Sequence, residues 1–218
     1  MRNKKSEEEY KNDLNEIWKQ YISPAYDNPS TCAYYVKDIA NCEKDEVEYI
    51  ILCESPHKEE VEYKDKAGRP NPVPLVGTSG KAVSNFLFGE SAPIGELIDE
   101  KNKKCFHKIA IVNVCNVPLQ KIDQNKDKVE NLELDYLRDS CKVIIELSEN
   151  LKERIKKYQK ARIIVVCGEF AMAYYNEIKN NFQTLKALNV PHPSRNHWQF
   201  IYENKDDIST LKWIFKTN

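Results

Sequence analysis

Apolar residues along the chain gather into four short runs, each bounded by polar or turn-forming residues. They are VEYIILC at 47–53, KIAIVNVC at 108–115, ARIIVVCG at 161–168 and TLKALNV at 184–190. The first three are β-branched, near-continuous and too short for helices, as strands buried on both faces of a parallel sheet should be. Elsewhere the spacing is helical. Residues 6–21 put Tyr10, Leu14, Trp18 and Tyr21 on one stripe, with Ser6 as a cap and acids in the first turn. Residues 79–88 predict a short helix starting just after Gly77, and 169–181 and 206–216 predict two more. A long stretch over roughly 130–160 places Leu137, Cys141, Ile144, Leu151, Ile155 and Tyr158 on one face, which reads as a helix packed on a sheet. Strand–helix–strand alternation implies right-handed crossovers. The expected fold class is therefore α/β, a three-layer sandwich around a central, mainly parallel four-stranded sheet. A polar, Pro-containing stretch at 23–31 precedes the main body, suggesting an N-terminal helical extension packed on the core (1–45) and an α/β domain (46–218). One irregular insertion, 57–78, charged and then Pro-rich, directly follows the first strand.

Composition narrows the classes. At 218 residues and 41% hydrophobic, the chain can bury a core as one domain, or a domain with an appendage. Mean hydropathy is -0.67, and no apolar run approaches the ~18–20 residues a membrane span needs. The charged amino terminus lacks the apolar segment of a signal peptide, so a cytoplasmic protein is expected, with no membrane partner. Thirty-three basic residues against 34 acidic ones exclude a globally basic nucleic-acid coat but not a local basic groove. The seven cysteines are odd in number and none are spaced as CxxC, which reads as reduced, structural thiols. Cys105, His107 and Cys115 lack a second half-site with zinc spacing, so no metal is expected.

In an open parallel sheet, ligands bind beyond the carboxyl ends of the strands. Those ends carry Cys53-Glu54-Ser55-Pro56-His57, then Asn113 to Asn116, then Gly168-Glu169, then Pro191-His192-Pro193-Ser194-Arg195-Asn196-His197-Trp198. An acid, an amide and an imidazole converging on one rim form a candidate site. Plainer readings stand beside it: Glu54 capping a helix or pairing with Lys58, Asn113 satisfying a loop, His192 as an ordinary histidine. His57 and His107 read as ordinary. Gly77-Thr78-Ser79-Gly80-Lys81 is not a Walker A loop, because Leu75 and Ala82 stand where Gly and Ser or Thr are needed. As a helix start, it still offers backbone N–H groups to a phosphate or carboxylate. The basic cluster from Lys152 to Arg162 suits a helix C-terminus, with a phosphate-tracking patch as the minority reading.

The order of these motifs resembles the uracil-DNA glycosylase superfamily, most closely the family four-like branch whose first motif reads Gly-Glu-Ala-Pro-Gly. Its counterpart here is Cys53-Glu54-Ser55-Pro56-His57, followed by Pro74-Leu75-Val76-Gly77 and Ser79-Gly80. Ile111-Val112-Asn113-Val114, the strand from Ile163 to Ala171, and His192-Pro193-Ser194 complete the series, over about residues 47–200. The iron–sulfur cysteines of that branch are not matched in spacing, so no cluster and no other cofactor is expected. Leu75 stands where the branch places a base-stacking Phe, which widens the expected substrate to uracil or another modified base.

The resemblance implies a monofunctional DNA glycosylase that flips a base out of DNA and hydrolyses its N-glycosidic bond. Glu54 and His192 would be catalytic, and Ser55, Leu75 and Asn113 would bind the base. Ser79, Gly80, Lys81, Ser194, Arg195, Asn196 and His197 would contact DNA, with the segment Ser194 to Trp198 entering or flanking the minor groove. DNA is the expected partner and the protein a monomer. The competing readings are a nucleic-acid or modified-base binding protein of the same fold that does not excise, and an unrelated nucleotide-processing α/β enzyme with 57–78 as a lid.

Overall fold

A computed structural model describes residues 7–99, 107–119 and 143–194, together with 198, 210, 211, 214 and 215. A five-stranded sheet organises it: β1 (Ile39–Ala40), β2 (Tyr49–Cys53), β3 (Ile109–Asn113), β4 (Ile163–Cys167) and β5 (Lys186–Val190), in the order β1-β3-β2-β4-β5. β2 to β5 run parallel and β1 pairs antiparallel with β3, Ile39 opposite Ile111. The class is the one expected, with one strand more. A two-residue edge strand carries too little alternation for a period to be read.

Alternate residues of each strand feed opposite cores. Ile50, Leu52, Ala110, Val112, Ile164 and Val166 face one cluster, and Ile51, Ile109, Ile111 and Val165 face the other. The first is covered by α6 (Ile145–Ile155) and α7 (Gly168–Ile178), through Leu147, Leu151, Phe170 and Tyr174. The second is covered by α4 (Thr78–Phe88) and α5 (Ile94–Asp99), through Val83, Leu87, Ile94 and Ile98. Helices on both faces of a parallel sheet make the three layers.

The amino-terminal helix runs further than its stripe predicts. α1 (Glu7–Ile17) passes through a widened π turn at Trp18–Ile22 into α2 (Ser23–Asp27). Pro24 explains this: it has no N–H to give, and the widened turn, closed from Ser23 N–H to the Trp18 carbonyl, carries the chain past it. Ile17, Ile22 and Ala25 join the first core cluster. Other α-helical residues among those described are the short α3 (Lys58–Val61) and residues 210, 211, 214 and 215 of the 206–216 segment. Leu137 and Cys141 of the long predicted stripe lie outside the described residues, while Ile144, Leu151, Ile155 and Tyr158 are buried as expected. No helix among the described residues is long and apolar enough to cross a membrane.

Candidate functional site

Register brings the motifs together. Cys53 sits opposite Asn113, Leu52 opposite Val166, and Cys167 opposite Val190, so the four parallel strands end level. At a strand spacing of about 4.8 Å, the rim from β3 to β5 spans about 15 Å. β3 and β4 lie on opposite sides of β2, so the loops diverge there and leave a crevice. A cleft of 610 Å³ opens at this place. Glu54, Asn113 and His192 line it, with Ser55, Leu75, Ser79 and Ser194.

The other predicted contacts fare differently. Gly80 is buried beneath Leu75, and Lys81 is exposed on α4 without lining the cleft. Arg195, Asn196 and His197 lie outside the described residues. Trp198 corrects the expected groove-entering segment. It is buried, edge-on to Phe86, and its Nε1–H donates to the Pro191 carbonyl at 2.7 Å. An indole needs burial and one acceptor, and the core supplies both, so this side chain anchors the loop instead of reaching outward.

Asn113 is 2% exposed, and its Nδ2 has no hydrogen-bond partner. A buried amide donor without an acceptor costs about 1–3 kcal/mol, and on a cleft wall it is placed where an incoming acceptor could satisfy it. Its backbone is held from behind. Arg154, 7% exposed on α6, donates from Nη1 to the Asn113 carbonyl at 2.8 Å and from Nη2 to the Val114 carbonyl at 2.7 Å. The same Nη1 meets both oxygens of Asp38, and Nε donates to Asn150. Asn116 extends the network, donating to Asp38 and the Val36 carbonyl and accepting from the Tyr26 hydroxyl. The amino-terminal segment thus reaches the underside of the strand that carries Asn113.

His192 is seated by a glycine. Gly168 has φ +88, and a Cβ there would lie 3.1 Å from the His192 Cβ. The Ser194 N–H donates to His192 Nδ1 at 3.2 Å, so a neutral ring carries its hydrogen on Nε2. Gly168→Ala is expected to destabilise the chain by about 1–2 kcal/mol through its left-handed backbone and to displace the imidazole. Urea unfolding, with the shift of the His192 ring protons by NMR, checks this; an unmoved ring would refute the seating.

Leu75 is the one non-glycine with positive φ (+55) among the described residues. A Cβ on Gly80 would fall 1.7 Å from its carbonyl oxygen, and one on Gly95 2.1 Å from the Pro74 carbonyl, so two glycines let the turn pack. Its N–H donates to Glu60 Oε1 at 2.6 Å. Glu60 also lines the cleft, and burial pushes its carboxyl up to about 7. Neither Arg154 nor Glu60 stands out in the sequence as a site residue. Glu60 had a local signal, an acid three residues after a polar residue that caps α3; Arg154 was merged into the basic cluster. That cluster is largely ion-paired: Lys152 with Glu149, Lys156 with Glu153, Arg162 with Glu48. Glu59 brings a carboxylate oxygen over Gly77 at the start of α4, since a Cβ there would lie 2.3 Å from Oε2.

No family model and no curated protein matches the chain. Among solved structures it is similar to the solution NMR structure of a "putative Uracil DNA glycosylase" from Methanosarcina acetivorans, at 16% identity and a TM-score of 0.46, over 84% of this chain and 96% of that one.

Proposed function

We propose that the protein is a monofunctional DNA glycosylase, hydrolysing the N-glycosidic bond of uracil or another modified base after the nucleotide is flipped into the cleft. The observation that carries this reading is the buried, unpartnered Nδ2 of Asn113 on the wall of a cleft also lined by Glu54 and His192. A base inside a duplex is unreachable, so a site recessed behind a rim of loops needs the nucleotide extruded. Asn113 offers a donor to a base oxygen, and leaving that donor unpaired is the penalty for a base lacking the acceptor. Leu75 supplies an apolar wall.

As the glycosidic bond breaks, its electron pair leaves with the base and positive charge develops on the sugar. The Glu54 carboxylate stabilises that charge and takes the proton of the attacking water, whose oxygen bonds to the sugar C1′. His192, with its hydrogen on Nε2, donates to the base oxygen on which negative charge accumulates, and the base is finally protonated on departure. No lysine lines the cleft among the described residues, so a Schiff base and strand cleavage by β-elimination are not expected. Ser79 and Ser194 at the cleft, with Lys81, Arg195, Asn196 and His197 beside them in the chain, are assigned to the DNA backbone and neighbouring bases, whereas the burial of Gly80 beneath Leu75 withdraws it from that set.

The test uses oligonucleotides carrying uracil, hypoxanthine, xanthine or hypermodified bases, incubated with the full chain and then treated with alkali. Breakage at the modified position by wild type, and not by His192→Ala, supports the reading. Binding without breakage on any of them overturns it in favour of a base-binding protein, and absence of both removes nucleic acid from the account.

A further inference from the structure

We propose that Glu60 is the positioning residue of the cleft: by accepting one backbone hydrogen bond from each of two loops, it locks Leu75 in its left-handed conformation and so sets the wall against which a base is held. This rests on reading the cleft as a base-binding site.

The two bonds run to different segments. Oε1 accepts from Leu75 N–H at 2.6 Å, and Oε2 accepts from His57 N–H at 2.8 Å. Glu60 is 7% exposed, so water competes little for the buried bond to Leu75. The Leu75 carbonyl in turn accepts from Gly95 N–H at 3.1 Å, which pins this peptide from both sides. Leucine at φ +55 is held there against a steric cost and returns to negative φ when the restraint goes. That rotation would re-aim the Leu75 side chain, now 5% exposed and part of the cleft lining. The same carboxylate fixes His57, which ends the segment carrying Glu54 and Ser55.

The clamp is built for a carboxylate. Ionised, both oxygens accept; protonated, one becomes a donor facing an N–H, and one of the two bonds is lost. Burial raises the Glu60 carboxyl to about 7 although its bonds to His57 and Leu75 lower it, and Glu59 adds to the rise. The titratable groups that line the cleft with Glu60 are Cys53 and Glu54 at the end of β2, His57 and Glu59 on its own turn, and His192 across the cleft. The sign follows. With its folded value above its unfolded one, the protonated group favours folding fully below about pH 4, and that advantage disappears as pH rises through about 7. The ionised clamp therefore forms as pH rises through about 7, at the expense of stability, as expected of a group retained for its geometry.

The experiment follows the backbone amide protons of His57 and Leu75 by NMR between pH 5 and 9 in the full chain. Both are expected to titrate together with a midpoint near 7, and to be flat in Glu60→Gln. Separate midpoints, or none, overturn the clamp, and the wild-type titration decides this even if the variant does not fold. A second readout is the kinetic split on the best oligonucleotide substrate at pH 8. Glu60→Gln is expected to raise KM about tenfold with kcat within about threefold, and the wild-type KM to rise below pH 7 while the variant's does not. An unchanged KM with active enzyme overturns the clamp and leaves the glycosylase reading standing. If no oligonucleotide is cleaved, that reading fails, and the amide titration still judges Glu60.

Discussion

Glu54→Gln is expected to slow base release by about 10²–10⁴-fold while leaving oligonucleotide affinity within a few fold. The substitution keeps the side chain's shape and removes only its charge, so what is lost is the attraction to the positive sugar and the acceptor for the water's proton. Its backbone should not move, because the Glu54 carbonyl stays bonded to Cys115 N–H at 3.0 Å and the preceding strand is fully buried. Single-turnover release of the base, with binding measured separately, checks it. A rate within about tenfold of wild type would remove Glu54 from the chemistry. His192→Ala is expected to cost about 10²–10³-fold by loss of one donor to the departing base. Because both groups act on one transition state, the double variant should lose less than the product of the two.

Arg154→Met should lower stability by about 3–5 kcal/mol, a fall in Tm of roughly 10 °C for a chain of this length. Burial works against the charge of Arg154, but Asp38 and Tyr26 outweigh it and hold the guanidinium above its ordinary range. Removing the cation leaves the Asp38 carboxylate largely buried without its partner, and strips the Asn113 and Val114 carbonyls of their donors. Thermal unfolding of Arg154→Met, Asp38→Asn and the double variant checks this. The double variant should lose clearly less than the sum, since neutralising Asp38 removes the uncompensated charge. Strict additivity would mean that the pair is not coupled, leaving the bonds of Tyr26 and Val36 to Asn116 as the polar link to the amino-terminal segment.

The two predictions concern the ends of adjacent strands, Glu54 after β2 and Arg154 beneath β3, yet only the first position is marked in the sequence. Glu54 follows a buried run by one residue, and a strand's carboxyl end is where a parallel sheet exposes its loops. Asn113 and His192 were legible for the same reason. Arg154 and Asp38 were not, because their significance lies in a contact across 116 positions of chain, which no local period reports. The inward turn of Trp198 is not legible, because a polar loop reads as surface until its contact with Phe86 is known. The positive φ of Leu75 was hidden too, since leucine gives no sign of it and the permissive residues are its partners Gly80 and Gly95.

From the amino acids alone came four strands, three of them read as buried, the helix start after Gly77 and the polar groups that cap each strand, because these depend on side-chain periods and steric preferences spanning a few residues. Only the folded chain decided that β1 closes the sheet edge, that the strand ends come level, that Asn113 Nδ2 is buried without an acceptor, and that Glu60 and Arg154 brace the cleft from beneath. Each of these depends on which segments meet in the folded chain, and its energy arises from the exclusion of water when they do.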